Sequence, residues 1–131
     1  MSAPTHTAAA RLPVRRLAFA ALTSLLFAAL VLGVVREGAW AAALLGAVGP
    51  DLALLLGGGA GLARGQLHPR AVPLYNGAHR FWAPVALMAA AFAEVVGPAW
   101  FVGGLAWAMH IALDRTVGYG LRDRHGFQRA G

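Results

Sequence analysis

Uncharged apolar runs separated by short polar turns dominate this chain. The run from Leu17 to Val35 holds 19 residues without a charge. At 1.5 Å per residue it reaches about 28 Å, close to the roughly 30 Å of bilayer hydrocarbon, so it predicts a transmembrane helix. Arg36-Glu37-Gly38 makes a polar turn, and a second apolar stretch runs from Ala39 to near Leu62. Gly49-Pro50-Asp51 interrupts it. Proline disrupts a helix interior but suits a first turn, so the second span is expected to break there and restart, with Asp51 at a helix start. Gly57 to Gly61 then permits close helix approach or ends the helix.

Arg64 to Pro73 reads as a loop. The third span reaches about Val96 and begins with the polar residues Tyr75, Asn76, His79 and Arg80. Its uncharged part, Phe81 to Ala93, has only 13 residues, so the polar start is expected to enter the membrane or its headgroup zone. Pro84 predicts a kink. After the Gly97-Pro98 turn, Ala99 to about Asp114, extending to Val117, forms the fourth span. The expectation is an all-α integral membrane bundle of four transmembrane helices, with the second broken near Gly49-Pro50. A basic arm (1–16) and a tail (118–131) flank the membrane domain (17–117).

Composition supports this reading. Of 131 residues, 59% are hydrophobic and 12% charged, against about 25% charged in a soluble domain. A chain this short cannot bury so much apolar surface in one aqueous core. The start also resembles a signal peptide, with Ala39-Trp40-Ala41 as a small-residue cleavage site. Signal cores are only about 7–15 residues, however, so a retained span is expected.

All 11 basic residues are arginines, and the net charge is +6. In the four-span arrangement Arg11, Arg15, Arg16, Arg64, Arg70, Arg80, Arg115, Arg122, Arg124 and Arg129 fall on one side and Arg36 on the other. The positive-inside rule then places both termini in the cytoplasm, and a composition rich in Ala, Gly and Arg suggests a high-GC bacterial source, so a bacterial inner membrane is expected. Arginines flanking apolar runs suit anionic headgroups better than nucleic acid, so lipid is the expected partner. Self-association or an unidentified membrane partner is compatible with the sequence. There are no cysteines, which excludes disulfides and cysteine-ligated metals.

The candidate chemistry is a set of polar groups inside apolar spans. His110 and Asp114 lie one helical turn apart on one face, as do Asn76 and His79. Asp51 sits in the broken span. Ionisable groups within a membrane tend to face a bundle interior or cavity. With Arg80, Arg115 and Tyr119 nearby, the expected polar cluster is Asp51, Asn76, His79, Arg80, His110, Asp114, Arg115 and Tyr119. The leading expectation is a structural polar network between helices. One alternative is a metal-dependent membrane hydrolase, with Asp51, His79, His110 and Asp114 holding zinc or manganese. Another is a small transporter subunit or proton relay. Trp40 and Trp100 are expected in an outer aromatic belt and Tyr119 in the inner one. No phosphate-binding loop and no zinc-protease motif is present.

Pro50-Asp51-Leu52, Tyr75-Asn76-x-x-His79 with Pro84, and His110-Ile111-x-x-Asp114-Arg115-x-x-Gly118-Tyr119-Gly120-Leu121 together resemble a small bacterial membrane family, domain-of-unknown-function family 4260. The resemblance covers roughly residues 17–127. It implies a compact multi-span membrane protein without an assigned activity. The family's Thr-His-Leu-Gly ending is replaced here by Gln128-Arg129-Ala130-Gly131.

Overall fold

The computed structural model describes residues 13–129. Among them the regular structure is helical, with one isolated antiparallel bridge between Arg122 and Gln128. Helix α1, Val14–Glu37, begins earlier than its apolar run and takes in Arg15 and Arg16. The expected arm of residues 1–16 is shortened accordingly, and residues 1–12 lie outside the described part. Gly38 ends α1 with φ 61°, its amide donating to the Val34 carbonyl at 2.8 Å. A side chain there would be strained, which is why glycine stands at this stop.

The second stretch is broken where the proline falls. Helix α2, Trp40–Val48, gives way to a 3-10 turn, Gly49–Asp51, and then to the short α3, Leu52–Leu56. The third stretch is also two helices, α4 at Val72–Ala78 and α5 at Trp82–Phe92. Its interruption lies at His79-Arg80-Phe81, not at Pro84. Pro84 sits in the first turn of α5, where a missing N–H breaks no intrahelical bond. Helix α6, Ala99–Val117, is continuous and ends at Gly118 with φ 99°.

Helix α6 is the centre of the packing and touches α1, α2 and α5. Small residues make that possible. A Cβ at Gly46 of α2 would overlap the Gly103 carbonyl of α6, and one at Gly104 would overlap Met88 of α5. The main core joins Leu30, Val34, Ala42, Ala43, Val102 and Ala106 from α1, α2 and α6. A second cluster joins Ala53 of α3, Leu67 and Ala71 of the connecting segment, and Val72 and Tyr75 of α4. Larger apolar side chains point outward: Leu55 is 80% exposed and Phe92 86%. Among the described residues one helix, Val14–Glu37, is by itself long and apolar enough to cross a membrane.

The C-terminal segment folds back onto the 57–76 region. The Leu67 amide donates to the Gly126 carbonyl at 2.9 Å, and Gln66 Nε2 to the His125 carbonyl at 2.9 Å. At the same end Arg16 Nε donates to the Thr116 carbonyl at 2.7 Å, tying the start of α1 to the end of α6.

Candidate metal centre

Two breaks in regular structure and one continuous helix bring the site together. Asp51 closes the 3-10 turn after α2, and His79 caps the end of α4. His110 and Asp114 project one turn apart from the continuous α6. His79 Nε2 lies 3.3 Å from His110 Nε2 and 3.3 Å from Asp51 Oδ1. His110 Nε2 lies 3.4 Å from the same Asp51 oxygen. These three atoms form a nearly equilateral triangle. Asp114 Oδ2 flanks it, 3.5 Å from His79 Nε2 and 3.6 Å from His110 Nε2.

The outer nitrogen of each imidazole fixes what the inner one presents. His79 Nδ1 lies 2.8 Å from the Tyr75 carbonyl, and His110 Nδ1 lies 2.8 Å from the Ala47 carbonyl. A carbonyl oxygen only accepts, so both Nδ1 atoms carry the proton and donate. In neutral rings both Nε2 atoms then turn lone pairs toward Asp51 Oδ1. Two imidazole lone pairs and two carboxylates converge with no hydrogen among them to share. Such a set is mutually repulsive unless a cation, or added protons, lies between the donors.

The triangle has the dimensions of a metal site. Ligands at roughly 2.0–2.1 Å in tetrahedral array stand about 3.3–3.4 Å apart. Asp51, His79 and His110 match this spacing, and they form a group able to hold a metal ion. Imidazoles whose second nitrogen donates to a backbone carbonyl are the usual orientation for ligating histidines. The His79 side chain is 0% exposed, whereas Asp51 is 45% exposed, so the site opens on the Asp51 side.

The support around His79 is dense. The Tyr75 ring stacks on its imidazole with centroids 3.9 Å apart, and the Arg122 guanidinium lies over Tyr75. From α6, Trp107 Nε1 donates to the Ala78 carbonyl at 2.6 Å and Arg115 Nη2 to the His79 carbonyl at 2.8 Å. Both peptide carbonyls beside the ligand are thereby held by the helix that carries the second histidine.

Of the eight residues expected in the cluster, four converge: Asp51, His79, His110 and Asp114. Asn76 faces away and pairs with the backbone of Arg122, donating at 2.9 Å and accepting at 2.8 Å. Arg80 is exposed, and the ion pairs of Asp51 and Asp114 among the described residues are with the two histidines. Arg115 braces the His79 carbonyl, and Tyr119 takes part through its backbone, its oxygen accepting from Arg115 and its amide donating to the Asp114 carbonyl at 2.8 Å. Trp107 and Arg122 were not expected near the site. Trp107 lies three residues before His110 and so shares its face, a signal present in the sequence. The approach of Arg122 depends on the fold-back of the tail, which no local pattern announces.

A family model described as a domain of unknown function (DUF4260) matches residues 15–130. No curated protein and no solved structure matches the chain.

Proposed function

The chain belongs to the DUF4260 family, a domain of unknown function, and from that premise we propose that it is a membrane-embedded hydrolase built around one zinc ion. The triangle of Asp51 Oδ1, His79 Nε2 and His110 Nε2, with both Nδ1 atoms engaged by carbonyls, carries this reading. Three protein ligands with a fourth position open is the arrangement of a catalytic rather than a structural zinc site. Held by Asp51, His79 and His110, a zinc ion would supply an acidified water for hydrolysis. Asp114, beside both imidazoles yet outside the triangle, is placed to take that water's proton. Tyr75, Trp107 and Arg115 hold His79 so that its nitrogen stays aimed.

The four-span arrangement belongs to the same reading. Large apolar side chains face outward while alanine and glycine fill the helix contacts, as suits a bundle in lipid. Helix α1 crosses alone, the α2–α3 and α4–α5 pairs form two broken traverses, and α6 is the fourth. Irregular backbone at Gly49–Asp51 and His79–Phe81 is tolerated at membrane depth because it lines a protein-enclosed site.

The test is metal analysis of the full chain purified in detergent and re-equilibrated with zinc. One zinc per chain is expected, with affinity at least tenfold weaker in His110→Ala and in His79→Ala, in line with loss of a ligand. Asp114→Asn is expected to keep the zinc and lose ester hydrolysis. A wild-type chain that takes up no zinc overturns the proposal, as does His110→Ala retaining it undiminished. A purely structural polar network predicts lower thermal stability in His110→Ala with no metal in either protein.

A further inference from the structure

An apolar groove leads away from the triangle and indicates the substrate class; the inference rests on the zinc reading above. The cavity, ≈ 240 Å³, is lined only by apolar side chains and glycines, among them Gly46, Gly49, Pro50, Ala78, Trp100 and Trp107. Pro50 and Ala78, which immediately precede the ligands Asp51 and His79, belong to its lining, so the groove runs up to the neighbours of two ligands. Trp100, Gly103 and Trp107 lie on the α6 stripe that continues to His110. From His110 back to Trp100 the helix rises about 15 Å. Of the two indole N–H groups on that wall, that of Trp107 is engaged by the Ala78 carbonyl, and the other belongs to Trp100 at the far end. The groove therefore offers mainly hydrocarbon contact, and its volume lies below the roughly 300–1,000 Å³ of sites for bulkier ligands. It suits a single chain.

The other side of the triangle is cationic. Past His110 and Asp114 come Arg115 and the fold-back of the tail with Arg122 and Arg124, and Arg16 is tied to Thr116 at the same end. Arg80, next to His79, is exposed. Of the carboxylates outside the site, Glu37 and Glu94 are at the far ends of α1 and α5, and Asp123, between Arg122 and Arg124, accepts from the His125 and Phe127 amides. Apolar groove, triangle and arginines thus follow one another along α6.

We infer that the substrate is an anionic phosphodiester amphiphile, its apolar chain in the groove and its phosphate at the triangle beside the arginines. A water oxygen attacks phosphorus, and the P–O bond to the leaving alcohol breaks. The water's proton passes through Asp114 to the leaving oxygen. The products are an alcohol and a phosphomonoester, with no oxidant or reductant required.

The probes are p-nitrophenyl dodecyl phosphate, p-nitrophenyl ethyl phosphate and the neutral ester p-nitrophenyl laurate. They are assayed on zinc-loaded full chain in nanodiscs of neutral lipid. Membrane partitioning alone favours the longer chain, so the decisive comparison is with a filled groove. A Cβ on Gly49 meets nothing within 4 Å, and its backbone is right-handed, so Gly49→Leu fills the space without strain. Leu45→Trp fills it independently from an exposed position of α2. The dodecyl-to-ethyl ratio of kcat/KM is expected to fall at least tenfold in both variants, with zinc content unchanged. In wild type the dodecyl phosphodiester is expected to exceed the laurate ester at least tenfold. With zinc bound one to one, an unaltered chain-length ratio in both variants, or preference for the laurate, overturns this inference and leaves the zinc reading standing. A chain that binds no zinc overturns both.

Discussion

Single residues carry more of the site's order than their types suggest. His79 is fixed at Nδ1, on one ring face and at its own carbonyl, by Tyr75 and Arg115. Asp123 shows the same economy in the tail. The Phe127 amide, and after it the His125 amide, donate to its Oδ1 at 3.1 and 2.8 Å and hold its carboxyl below the usual carboxylate range. A depressed folded-state value means the carboxylate stabilises the turn above the unfolded value of about 3.9. That contribution is lost as pH falls through the lowered folded value. Hydrogen exchange at Phe127 should therefore be slow relative to an Asp123→Asn variant at pH 6, with the difference closing below about pH 4. A difference that persists unchanged into that acid range would refute the assignment. The identity of the titratable groups was legible in the sequence. Their partners were largely backbone carbonyls and amides, which every residue possesses and no residue type reveals.

At the scale of elements, small residues decide how closely helices approach. Gly46 meets the Gly103 carbonyl at the α2–α6 crossing, and this crossing delivers the Ala47 carbonyl to His110. Gly46→Val forces the two backbones apart. Overpacking of this kind costs about 1–3 kcal/mol, so a lower Tm is expected, together with weaker zinc binding as His110 loses its anchor. Unchanged stability in a detergent melt would contradict the packing argument. The breaks were only partly foreseeable. Pro50 announced the first, because a missing N–H and a fixed φ act locally. The second was expected at Pro84 but lies at His79-Arg80-Phe81. There the chain leaves α4 so that His79 can turn its imidazole to α6 and its carbonyl to Arg115, a gain that exists only once α6 is in place.

At the scale of the whole molecule, the arginine-rich end, the site and the apolar groove are arranged along one axis. The proposed topology sets the Gly38 turn and the tail on opposite faces of the bilayer. Because the chain has no cysteine, one introduced at Glu37, exposed beside Gly38, or at His125 is the sole thiol. A membrane-impermeant maleimide is expected to label the Glu37→Cys variant from outside intact cells and the His125→Cys variant only after lysis. Labelling of both from outside would exclude the arrangement.

Helical class, the apolar length of α1, the stop at Gly38, the break at Pro50 and the candidates Asp51, His79, His110 and Asp114 follow from the sequence alone. Each depends on a residue's own chemistry or on neighbours within a turn: hydrocarbon length, a left-handed φ, a missing N–H, an i,i+4 face. Tertiary structure alone decided that Asn76 belongs to the tail, that Arg115 and Trp107 brace His79, and that the lone pairs of residues 51, 79 and 110 meet at one point. Those outcomes depend on the crossings of α6 with α2 and α5 and on the fold-back of the tail. Contacts between segments 30 to 60 residues apart are set by which surfaces can approach in three dimensions, and local periodicity carries no record of them.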